Sequence, residues 1–141
     1  MIFARSNAVL TWVYVAAFGI PAVPISVCLL QNGTLPWFLD LFTMYGGPLS
    51  DRLEEGPLAA LLVAYLLVTI AAAFAAWLVW LGRRMGAVLS LALIPVEAVF
   101  WIGFALPFPW LIGAARVALI ALAWASLVPW DRDGDANRAP S

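Results

Sequence analysis

The sequence predicts an all-α membrane protein with four transmembrane helices. Two observations carry this reading. Four apolar runs each approach the roughly 20 residues needed to cross about 30 Å of hydrocarbon. The 141 residues are 65% hydrophobic and 11% charged, which leaves too little polar surface to cover a soluble globule. A third observation bears on function: the third and fourth runs carry opposite charges, Glu97 and Arg116, near their middles.

The first span covers about 8–30. Its apolar stretch exceeds the roughly 7–15 residues of a signal-peptide core, so it is expected to be retained. Pro21 and Pro24 lie within it and withdraw the usual helical donors from the carbonyls of Ala17 and Ile20. In the connection that follows, Leu35, Phe38, Leu41, Phe42 and Tyr45 recur at helical spacing between Thr34 and a Gly46-Gly47-Pro48 stop. This pattern predicts a short amphipathic interfacial helix over about 35–45.

The second span, about 57–81, opens at Gly56-Pro57 and stops at Gly82, the proline sitting in a first turn that needs no N–H. The third, about 87–106, contains Pro95, and the fourth covers about 109–128. Only Pro107 and Phe108 separate the last two, so they are expected to form a tight antiparallel hairpin. The whole chain, 1–141, reads as one four-helix domain ending in a disordered tail over 131–141. The alternating carboxylates of that tail miss the calcium-loop pattern, because Gly134 falls at the fourth position rather than the sixth.

Charge placement sets the expected topology. With the N-terminus inside, Arg5, Arg83, Arg84, Arg132 and Arg138 are cytoplasmic and Arg52 alone is outside, beside Asp51, Glu54 and Glu55. Trp12, Trp77, Trp80 and Trp130 then fall near the inner interface, and Trp37 and Trp110 near the outer one. All seven basic residues are Arg in an Ala-, Leu- and Val-rich chain; this composition points to a bacterial cytoplasmic membrane with both termini in the cytoplasm.

The net charge of −1 excludes a nucleic-acid partner, which requires a basic patch. There is no histidine, and the single Cys28 cannot form an internal disulfide or a thiolate metal site. No metal or cofactor is expected, and catalysis would have to rest on carboxylates, Tyr or Arg.

The candidate site is an intramembrane polar cluster. Glu97 lies about 11 residues before Phe108 and Arg116 about 8 after it, which places them about 16 and about 12 Å from the turn, within reach of each other. Tyr65 and Thr69, four apart on one helical face, arrive at a similar depth from the second span. The distortions at Pro21, Pro24 and Pro95 add freed carbonyls. Close packing is expected at Ala72-x-x-x-Ala76 and Ala114-x-x-x-Ala118.

A charge in hydrocarbon must be paired or face a wet cavity. The preferred reading is a structural or assembly component whose Glu97–Arg116 pair holds the helices in register. The competing reading is a proton- or ligand-coupled small transporter using Glu97. A lipid-modifying enzyme ranks third, because both charges lie far from the headgroups and no nucleophile-plus-base constellation accompanies them. The expected partners are the lipid bilayer and either a second copy or another membrane protein.

Overall fold

The computed structural model describes residues 1–33, 37–38, 42–43, 45 and 47–128. The expected tail over 131–141 lies outside these residues. The described chain is helical and contains four segments long and apolar enough to cross a membrane: Ile2–Asn32, Gly56–Trp80, Arg84–Gly103 and Pro109–Ser126.

The first segment is composite. Helix α1, Ile2–Tyr14, passes through a π-helical turn, Val15–Gly19, into α2, Ala22–Asn32. It begins six residues earlier than expected, because Arg5 is accommodated over the Trp80 ring at 5.4 Å instead of ending the helix. The π turn is closed by the Ile20 N–H to the Val15 carbonyl, 3.0 Å, just before Pro21. The carbonyl of Ile20 is not left open at Pro24; it accepts the Val23 N–H at 3.1 Å. Gly33, at φ 67°, ends α2 and donates to Leu29 O at 2.9 Å.

The interfacial helix expected over about 35–45 is not evident. Within that stretch β1, Trp37–Phe38, pairs antiparallel with β2, Phe42–Thr43. Aromatic and β-branched residues favour this pairing, and over so short a stretch helical spacing alone does not exclude it.

Helix α3, Glu55–Trp80, is the longest single helix described. It ends where the sequence places the stop: Gly82, at φ 78°, lets its N–H reach Val79 O at 2.9 Å while Arg83 N–H reaches Leu78 O at 2.9 Å. The same turn is clasped from beyond the last helix by Val128 N–H to Gly82 O, 2.8 Å, and Arg84 N–H to Val128 O, 3.0 Å. Helix α4, Arg84–Gly103, keeps its course through Pro95, and α5, Pro109–Ala123, runs into a 3₁₀ turn at Trp124–Ser126.

Helix α3 packs against α1, α2 and α4, whereas α5 lies mainly along α1. The expected hairpin of the last two spans is therefore antiparallel but splayed. Residues with a nearly constant number sum face each other, as Trp101 and Trp110 do at 5.5 Å between rings and Glu97 and Arg116 do through their ion pair. Helices α3 and α4 approach closely at Gly86, where a Cβ would lie 2.6 Å from Val79 N and 2.7 Å from Ala75 O.

The small-residue pairs divide. Ala72 and Ala76 are fully buried, at 0% exposure, while Ala114 and Ala118 point outward. The inner face of α5 is instead Gly113, Arg116, Ile120 and Ala123, the face set by the one residue that cannot remain unpaired in an apolar medium.

Candidate polar centre of the bundle

Buried polar side chains from α1, α3, α4 and α5 meet inside the bundle. On α4, Glu97 lies four residues before Trp101, so the carboxylate and the indole share one face. On α5, Arg116 is three residues past Gly113, whose missing side chain admits the Trp101 ring; a Cβ there would lie 2.6 Å from Trp101 Cη2. Arg116 Nη1 donates to Glu97 Oε2 at 2.6 Å, with both side chains at 0% exposure. The distance is that of a charge-assisted bond.

Tyr65 reaches this centre indirectly. Its hydroxyl lies 2.8 Å from the Tyr14 hydroxyl, and Trp101 Nε1 donates to the same Tyr14 oxygen at 2.9 Å. The Arg116 guanidinium sits over the Tyr14 ring at 5.6 Å, a cation–π contact strengthened by desolvation. Tyr14 is thus the hub joining α1 to α3, α4 and α5. Thr69 is buried but turns away; its hydroxyl donates to Leu66 O of its own helix at 2.8 Å, and its side chain fills the space beside Gly19.

The carbonyl of Phe18, which is not one of those expected to be freed, accepts a hydrogen bond from the Tyr45 hydroxyl. Burial pushes the Tyr45 phenol above its ordinary value, so it remains a protonated donor. Its ring stands edge-on to Tyr65 and Phe104, at 5.9 and 5.3 Å.

The expected cluster named Glu97, Arg116, Tyr65 and Thr69 and omitted Tyr14, Trp101 and Tyr45. A signal for Tyr14 was present in the sequence, since Asn7, Thr11 and Tyr14 fall at i, i+4 and i+7, on one face of a helix that is mostly apolar beyond Ser6. All three are fully buried. Among the described residues, Glu97 Oε1, Arg116 Nε and Nη2, both amide atoms of Asn7 and Ser90 Oγ have no hydrogen-bond partner. Among the same residues no three His, Cys, Asp or Glu side chains gather as a metal site would require.

No protein-family model matches the chain, and it matches neither a curated protein nor a solved structure.

Proposed function

We propose that this is a multi-pass protein of the bacterial cytoplasmic membrane that serves as a structural or assembly component, with the Glu97–Arg116 pair holding α4 and α5 in register. The observation that carries this reading is the ion pair itself: two fully buried side chains at 2.6 Å, packed under the Tyr14 ring. A carboxylate closed against a guanidinium from the next helix, with both side chains out of contact with solvent, ties α4 to α5 at one register.

The unpartnered Glu97 Oε1 and Arg116 Nη2 favour the second reading, a proton- or ligand-coupled transporter. Glu97→Gln separates the two, because it retains shape and hydrogen bonding but cannot ionise. In reconstituted vesicles a structural component shows no pH-gradient-driven uptake of test cations or lipophilic amines. Uptake by the wild type that disappears in a folded Glu97→Gln variant would establish the transporter.

Both termini are proposed to face the cytoplasm, because Arg5, Arg83 and Arg84 gather at one end of the bundle and Arg52, with Asp51 and Glu54, at the other. In a Cys28→Ser background, an impermeant thiol reagent applied to intact cells is expected to label Asp51→Cys, which is exposed, and to spare Ser141→Cys. The reverse pattern would invert the topology.

A further inference from the structure

At the Arg-rich end of the bundle a groove of about 600 Å³ opens between α1, the end of α3 and α5. Arg5 and Ser6 line it toward the start of α1, and the apolar Val9, Leu10, Val13 and Leu119 line the rest. From Ile2 to Val13 the wall extends about 17 Å along α1. The groove therefore has a cationic, hydrogen-bonding head and a long apolar body.

Two arginines at this end have opposite roles. Arg84 lies over Trp124 at 5.1 Å and directs Nη2 to the carbonyls of Trp124 and Leu127, at 3.5 and 3.4 Å. It closes the end of the bundle. The Arg5 guanidinium lies over Trp80 at 5.4 Å and makes no hydrogen bond or ion pair with a described residue. Its guanidinium is oriented by the indole face while its N–H donors remain open to a ligand, the arrangement suited to forked recognition of a phosphate.

We propose that this groove binds one phospholipid with an anionic headgroup, its phosphodiester on Arg5 and Ser6 and one acyl chain along Val9 and Val13. The proposal rests on the membrane reading above. Charge complementarity selects the occupant: a second copy of this chain would have to bring a carboxylate to Arg5, whereas the cytoplasmic leaflet supplies anionic headgroups at that depth.

The test uses the full chain in bilayer discs of phosphatidylcholine containing one-fifth phosphatidylglycerol. Electron paramagnetic resonance compares the protein-bound fractions of spin-labelled phosphatidylglycerol and phosphatidylcholine. The wild type is expected to prefer the anionic lipid about fivefold, the effect of one basic side chain at an anionic surface. Arg5→Gln should bring the ratio to about unity, whereas Arg52→Gln, at the opposite end, should leave it unchanged. Val9→Trp fills the groove while keeping the charge, and should also abolish the preference; it decides the matter if Arg5→Gln fails to insert.

Equal association of both lipids with an embedded wild type overturns the site and leaves the membrane reading intact. A chain that stays in the aqueous phase overturns both. Displacement of the lipid by excess glycerol phosphate would assign the groove to a free anion, and a dimer dispersed by Val9→Trp with lipid preference unchanged would assign it to a second copy.

Discussion

Replacing either Glu97 or Arg116 alone with Ala is expected to cost about 3–5 kcal/mol of bundle stability, as breaking a buried pair by removing one partner does. Both side chains are fully buried, so the survivor has no water to turn to. After Glu97→Ala the guanidinium retains only its contact with the Tyr14 ring at 5.6 Å. After Arg116→Ala the carboxylate loses its 2.6 Å donor and must protonate or bring water into the bundle. Unfolding titrations of detergent-solubilised protein, followed by helical circular dichroism, measure the loss. An effect within about 0.5 kcal/mol for both variants, the size expected of unexceptional surface substitutions, would mean that neither charge is confined as described.

The second large effect is expected at Gly86. Added as Ala, its Cβ would meet backbone atoms of α3, Val79 N at 2.6 Å and Ala75 O at 2.7 Å, as well as the Leu78 Cβ at 2.6 Å. Backbone cannot rotate aside, so α3 and α4 must separate, and Gly86→Ala should cost about 3 kcal/mol, the upper end of the range for overpacking. Gly56→Ala is the contrast. Nothing lies within 4 Å of a Cβ at that position, and relief of glycine's backbone entropy should stabilise α3 by about 0.5–1 kcal/mol. If both changes behaved alike in the same titration, the close α3–α4 contact would not exist in the folded protein.

The four helices were legible because a run of about 20 apolar residues has few other readings, and their ends were legible at Gly82 and Pro109, where backbone chemistry dictates the stop. The Glu97–Arg116 contact was legible from depth alone: both helices leave one turn at Phe108, and counting residues brings the two side chains to one level. Which face of α5 turns inward was harder to read. Ala114 and Ala118 resemble a packing stripe, but in a span apolar all round, small residues do not distinguish core from lipid. Arg116 does, and Gly113, Ile120 and Ala123 follow from it at i−3, i+4 and i+7.

Tyr14 was not legible in the same way, because the turn at Phe108 fixes the depth of residues in the later spans and leaves that of the first span open. The segment at Trp37–Thr43 escaped for a different reason. Five apolar residues at helical spacing there include aromatic neighbours that serve a short ladder equally well, and the choice depends on contacts outside the segment.

The most direct measurement of the central claim is a double-mutant cycle on the ion pair, using Glu97→Gln, Arg116→Met and their combination in the unfolding titration. A closed pair that holds the bundle in register predicts strong coupling: each single change leaves an orphaned group, the double change removes both charges together, and the double variant is more stable than the weaker single variant. Losses that simply add within about 0.5 kcal/mol would show that Glu97 and Arg116 act independently and would contradict the account.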